Sequence, residues 1–446
     1  MTVVKDNRND SIHYESLNQL ESDPSSNTST PTNQSTTQDI TLFQFHSISL
    51  NLSDFNYITY LAVGISLLWP WNCFLSASEY FMYKFSDSPS LSNNYTSTMM
   101  TASTITSLLF NSYLSTKQQT NFYTRVKIGI IMNFVIFTIL SFIELLYPTL
   151  NSFNYFIFLM LLVISTSIGT CYQQNGTMSI VNVMGPRFAQ AVMVGQAIAG
   201  VLPSISLIFS NLSVNASAMS SEKRIGSKSI VIYFATTSLI TLVAGLLFLI
   251  SNNYSKESLP FEEEHEKRYV PFKALFEKLK FLVLSIFTVF LITLAFPVFA
   301  SNIQSVHENS SSSFTKNEIF IPFIFFVWNL GDLLGRMSCS IPSLVISSDT
   351  SLFFYSLGRS GILPLFFFCN LQKSKLPFIK SDLFYIFLQF IFGLTNGHCL
   401  SCCFMNIGDY VDDDEREAAG GFSVVWLSLG LAAGSLGSYL IVAALN

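Results

Sequence analysis

Eleven stretches of about twenty predominantly apolar residues follow one another from residue 57 to the C-terminus. A helix rising 1.5 Å per residue needs about 20 such residues to cross a hydrocarbon layer about 30 Å thick. The stretches run roughly 57–82, 96–115, 126–147, 153–183, 189–212, 229–251, 280–301, 319–341, 351–371, 382–406 and 419–445. Only 11% of the 446 residues are Asp, Glu, Lys or Arg, against about 25% in soluble domains. That deficit leaves too little charge to cover a water-facing surface, so the spacing predicts an all-α polytopic membrane protein. The second stretch is rich in Ser and Thr and is retained as a span because small polar residues pack helix against helix in lipid.

Residues 252–278 form the one long connection and divide the spans six to five, giving a six-helix bundle over 57–251 and a five-helix bundle over 279–446. Residues 1–56 are dominated by Ser, Thr, Asn and Gln and read as a disordered tail. An odd number of crossings puts the termini on opposite sides. With the N-terminus cytosolic and the C-terminus not, Lys and Arg outside the spans number about 13 inside and about 8 outside, a bias in the usual sense. Lys223, Arg224 and Lys228 run against it, whereas sequons at Asn94, Asn211, Asn215 and Asn309 fall on the non-cytosolic side.

A net charge of −5 without a basic stripe excludes nucleic-acid binding. The seven cysteines lie in apolar runs and suit small hydrophobes, the Cys399–Cys402 pair included. Glu262-Glu-Glu-His-Glu266 and the acidic run Asp412–Glu417 read as solvated loops, the second also suited to a helix N-terminus. No P-loop, HExxH or GxSxG occurs, so neither ATP-driven pumping nor catalysis is expected, and no metal or cofactor.

Charges and amides inside spans carry the functional information. Asn329, Asp332 and Arg336 fall within about 60° on one face of the eighth span, and Asp332 and Arg336 are spaced to pair. Two readings stay open and are compatible: an ion pair locking helices, or an acceptor for ligand hydroxyls beside a planar guanidinium donor. Gly331 and Gly335 lie elsewhere on that helix and admit a close neighbour. In the first span Pro70 kinks the helix, Trp71 offers a stacking face, and Asn72 both donates and accepts. Gln173-Gln174-Asn175 in the fourth span, Gln196 in the fifth, and Asn396 and His398 in the tenth are further polar groups, each also readable as interhelical glue. Glu79 and Glu144 sit near span ends, where interfacial placement suffices.

Trp69-Pro70-Trp71-Asn72, Gly195-Gln196 with Ala199-Gly200, Asn329-Leu-Gly-Asp332-Leu-Leu-Gly335-Arg336, and Glu417–Phe422 with Leu429–Gly434 together resemble the signatures of the equilibrative nucleoside transporters. Trp69 stands where that family usually has a leucine. Gln174-Asn175-Gly176, Gly195-Gln196-Ala197 and Thr395–His398 are most similar to its fungal branch, whose best-known member serves the vacuole.

The resemblance implies a major-facilitator-like six-plus-five fold with one cavity between the halves. It further implies nucleobase contacts by Trp71 and by Asn175 or Gln174, and ribose and base contacts by Asp332 and Arg336. Asn72 and Asn329 join this substrate-binding set; Asn72 would also serve packing near the cavity and conformational change, as would Pro70, Gly195, Gln196 and Gly335. The expected activity is facilitated diffusion of nucleosides, nucleobases being left open, by a monomer in an intracellular or plasma membrane. A major-facilitator carrier of another polar solute and a non-transporting receptor or scaffold remain rivals.

Overall fold

In the computed structural model, residues 41–45, 48–146, 151–216, 227–258, 269–307, 316–371 and 378–445 are described. The Glu262–Glu266 run, Lys223, Arg224, the Asn309 sequon and residues 1–40 of the expected tail lie outside them. The part of that tail that is described is not irregular. Thr41–Phe45 (β1) and Ile48–Asn51 (β2) pair antiparallel, Phe43 opposite Leu50 and Phe45 opposite Ile48. Alternating apolar and polar residues favour this pairing, and the first helix starts at Leu52 rather than residue 57.

Among the described residues, the regular elements that follow are helices apart from one isolated bridge between Ile303 and Leu371. The helices are α1 (Leu52–Ser76), α2 (Ser78–Lys84), α3 (Pro89–Thr116), α4 (Phe122–Leu146), α5 (Ser152–Met184), α6 (Pro186–Ala216) and α7 (Ser227–Ser258). They continue with α8 (Phe272–Thr293), α9 (Ala295–Asn302), α10 (Asn317–Ser338), α11 (Asp349–Gly358), α12 (Leu363–Phe366), α13 (Asp382–Asn406) and α14 (Arg416–Leu445). Among the described residues, nine helical segments are long and apolar enough to cross a membrane.

The other two expected spans differ for physical reasons. Helix α3 has the length, 28 residues, but its Ser and Thr content lowers its hydropathy. The ninth stretch is broken: α11 ends at Gly358, a 3-10 turn covers Arg359–Ile362, and α12 adds one turn from Leu363. Gly358, Gly361 and Pro364 account for the break. The first and seventh stretches are each two helices, interrupted at Ala77 and Leu294.

The six-plus-five division expected from the sequence sorts the helices into two sets, α1–α7 and α8–α14. Helix α1 packs on α6 and α7, and α4 on α5 and α7; α10 packs on α13, and α8 on α11 and α14. The sets meet where α6 lies against α10 and α13, and where α3 and α5 lie against α14. Gly185 ends α5 with φ 112°, a backbone that side chains with a Cβ avoid, so the chain reverses at once into α6 at Pro186.

Candidate functional site

Helix α6 is the strut on which the signature residues of α1 and α10 converge. Its crossing with α1 is so close that a Cβ on Gly195 would lie 2.1 Å from the Leu61 carbonyl oxygen. One turn further along, the Asn72 amide of α1 donates to the carbonyl of Ala199 at 2.7 Å. The next residue, Gly200, leaves room for Asn329 of α10, whose Oδ1 would sit 2.6 Å from a Cβ there. Asn329 Nδ2 donates to Ser204 on α6 at 3.2 Å and back to Phe325 at 2.8 Å. Thus Asn72 and Asn329 flank consecutive α6 residues, each a packing contact in this conformation.

One turn below Asn329 lies the ion pair. Arg336 Nε donates to Asp332 Oδ2 at 2.9 Å, with both side chains less than a tenth exposed. Helical spacing of i,i+4 brings them together, and burial demands that every remaining donor and lone pair find a partner. Arg336 Nη1 reaches across to α6, donating to the Met193 carbonyl at 2.9 Å and to Gln196 Oε1 at 3.5 Å. Asp332 Oδ1 accepts from Asn396 on α13 at 2.7 Å. The pair therefore bonds to α13 on one side and to α6 on the other.

Asn396 extends the network. Its Oδ1 accepts from Thr293 Oγ1 at 2.5 Å and from Arg359 Nη2 at 3.0 Å. Arg359, 2% exposed and seated against the Phe392 ring, escaped the sequence reading. A signal was present: one guanidinium in an apolar run, between glycines and ahead of Pro364. The close approach of α10 and α13 makes these contacts possible. A Cβ on Gly397 would meet the Asp332 carbonyl oxygen at 1.9 Å, and one on Gly335 the Leu394 carbonyl oxygen at 2.1 Å.

The remaining candidates have other neighbours. Trp71 is half-buried and packs on an aromatic cluster built from Phe74, Tyr155 and Phe234. Pro70 is buried within α1, which continues through it to Ser76. Gln174 is half-buried, and the adjacent Gln173 donates to Ser66 at 2.7 Å. Asn175 is fully buried: it donates to Ser115 at 3.2 Å, accepts from Arg125, and lies beside Gly421 of α14. Arg125 precedes the third expected span and so reads from sequence as a loop cation, yet it lies buried in α4. Glu144, near the end of α4, is buried in protein, bridged by Lys84 at 2.8 Å and bonded by the hydroxyls of Tyr80 and Tyr155.

Asn175 belongs to a seam of bonds between the two sets of helices. Asn182 donates to the Arg416 carbonyl at 2.6 Å, Ser115 to that of Gly421 at 2.8 Å, and Asn111 to Ser428 at 2.8 Å. Gln118 exchanges two bonds with the backbone of Val270, and Gln190 donates to Ser340 at 2.6 Å. These lie toward the end where α3, α5 and α10 finish and α6, α8 and α14 begin. A cavity of about 170 Å³ between Asn182, Pro186, Phe404 and Arg416 sits there, below the about 300 Å³ at which small-molecule pockets start.

Comparison with known proteins agrees with this architecture. The sequence profile of the nucleoside transporter family matches residues 159–259 and 251–443. The chain is 38% identical to the nucleoside transporter FUN26 of Saccharomyces cerevisiae, over 88% of this chain and 84% of that one. It is 24% identical to equilibrative nucleoside transporter 3 of Rattus norvegicus, over 85% and 87%, and 22% identical to equilibrative nucleoside transporter 1 of Homo sapiens, over 86% and 96%. Among solved structures, the major facilitator proton:xylose symporter XylE superposes with a TM-score of 0.57 at 12% identity, covering 87% of this chain and 88% of that one. The E. coli fucose:proton symporter FucP superposes with 0.54 at 12% identity, covering 88% and 94%. The chain belongs to the nucleoside transporter family, on a fold shared with the major facilitator carriers.

Proposed function

We propose that this protein carries nucleosides across an intracellular, vacuole-like membrane by facilitated diffusion, its two bundles rocking about a midplane site. Helix α3 and the broken α11–α12 segment complete eleven crossings, with the N-terminus cytosolic. Under that topology the bonded seam closes the cytosolic end, and the carrier faces the opposite compartment.

One observation carries the proposal: the Asp332–Arg336 pair is buried at the interface between bundles and shares its bonds with both. A nucleoside is flat, hydroxyl-rich and usually uncharged. Its sugar hydroxyls suit Asp332 as acceptor, and its base carbonyl or ring nitrogen suits the Arg336 fork. The bonds from Arg336 to Met193 and Gln196 are the ones such a ligand would replace, so binding and release of α10 from α6 become a single event. Trp71 and Gln174, both half-buried, supply the stacking face and amide edge for the base as the bundles shift. Asn175 holds the closed seam through Arg125 and Ser115.

The test is a panel of radiolabelled nucleosides, nucleobases and hexoses in counterflow with purified protein in proteoliposomes, with and without a pH gradient. Nucleosides should exchange at rates independent of the gradient. Exchange of hexoses but not nucleosides would support the other-solute carrier, and no exchange of any solute the receptor or scaffold.

A further inference from the structure

The Cys399-x-x-Cys402 spacing suggests two thiols facing one ligand, but Cys399 points away, toward the Leu352 carbonyl of α11. Cys402 instead faces a different pair. Its Sγ lies 3.6 Å from Cys339 Sγ at the end of α10 and 3.7 Å from Nε2 of His398, one turn back on α13. The three donor atoms lie within 4.8 Å of one another.

The two separations from Cys402, to Cys339 and to His398, are close to those a tetrahedral ion imposes. With metal–sulfur bonds of about 2.3 Å and metal–nitrogen bonds of about 2.0–2.1 Å, the S···S edge is about 3.8 Å and the S···N edge about 3.6 Å. His398 and Cys402 are spaced i,i+4, which puts both on one helical face, the arrangement by which a single helix offers two ligands. Cys339 arrives from the C-terminus of α10, the helix whose glycines let it approach α13 closely.

We propose that Cys339, His398 and Cys402 form a binding site for a thiophilic ion of the zinc class. Both thiols ionise on binding and their protons leave to solvent. In the structure His398 Nε2–H donates to the Leu344 carbonyl at 2.8 Å. On binding the ring stays neutral: its hydrogen passes through solvent to Nδ1, Nε2 turns its lone pair to the ion, and the released Leu344 carbonyl is placed to add an oxygen donor. Soft sulfur with imidazole selects zinc-class ions over magnesium or calcium. Entry is from the exposed Ser340–Leu344 turn, beside the bond by which Gln190 of α6 grips Ser340.

The test uses the full-length protein in detergent, chelator-stripped and held reduced by a phosphine, then titrated with Co2+ as the spectroscopic probe. One equivalent should develop the visible bands of tetrahedral cobalt with sulfur-to-cobalt charge transfer, and Zn2+ should bleach them. Cys339→Ser and Cys402→Ser should abolish the charge transfer, while Cys399→Ser keeps it. Because a variant could fail to fold, Cys402 alkylation is followed in the wild-type protein as well, and Zn2+ should slow it at least tenfold. Wild-type protein without these bands, bands that survive Cys402→Ser, or alkylation indifferent to Zn2+ would each overturn the assignment.

Discussion

Two buried ion pairs show how differently a membrane protein uses the same chemistry. Lys84 and Glu144 are joined at 2.8 Å on α2 and α4, with Tyr80 of α2 and Tyr155 of α5 bonding the carboxylate and the ammonium lying 4.0 Å over the Tyr155 ring. All four residues belong to one set of helices. Asp332 and Arg336 are as deeply buried, yet Arg336 sends a nitrogen to Met193 and Gln196 of the opposite set. Charges removed from water are costly, and a pair is retained only when its geometry is well satisfied. The first pair is satisfied within one set of helices. The second is satisfied across two, so in the proposed alternating-access cycle its partners would have to change.

That contrast sets the expected outcomes. Asp332→Ala leaves Arg336 buried without its acceptor and Asn396 without its own, so transport should fall to the background of empty liposomes. Glu144→Gln should instead lower stability by about 3–5 kcal/mol, the cost of breaking a buried pair, and leave transport per folded molecule within about twofold. A thermal unfolding series beside uptake separates the two, and a Glu144→Gln protein that is stable but inactive would break the distinction.

Arg359→Met tests how far the second network reaches. It replaces a buried guanidinium with an apolar chain of similar length, so stability should change by no more than about 1–2 kcal/mol. Asn396 loses a donor, and uptake should fall roughly tenfold. An unchanged rate would confine the working network to Asp332, Arg336 and Asn396.

The smallest expected effect belongs to Asn329→Ala. One bond to Ser204 is lost, about 1 kcal/mol, or a factor of about five in the preference between conformations. It should appear as a shift in the midpoint of exchange rather than in its maximum. Asn72→Ala, which removes the bond to Ala199 inside one bundle, serves as the matched control.

The helical periodicity of Asn329, Asp332 and Arg336 was legible because it depends on one helix and its pitch. The spans were legible for the same reason: length and apolarity are local. What escaped was set by pairing at long range. Glu144 near a span end gives no hint of its partner, Lys84, which lies 60 residues away. Arg125 reads as a loop cation until its helix turns it onto Asn175. Arg359 lies in a stretch whose glycines and Pro364 disrupt the period that would have placed it on a buried face. The cysteines show the same limit: along the chain Cys399 and Cys402 read as small hydrophobes, whereas packing joins Cys402 to Cys339, 63 residues away.

The most direct measurement is adenosine counterflow in proteoliposomes carrying equal amounts of inserted wild-type or Arg336→Ala protein, both checked for monodispersity and unfolding temperature. If Arg336 passes from α6 to the ligand during each cycle, Arg336→Ala vesicles should show no exchange above empty ones, and Arg336→Lys, which keeps charge without the planar fork, only a small fraction of the wild-type rate. Exchange by Arg336→Ala at the wild-type rate would show that this guanidinium only fastens helices.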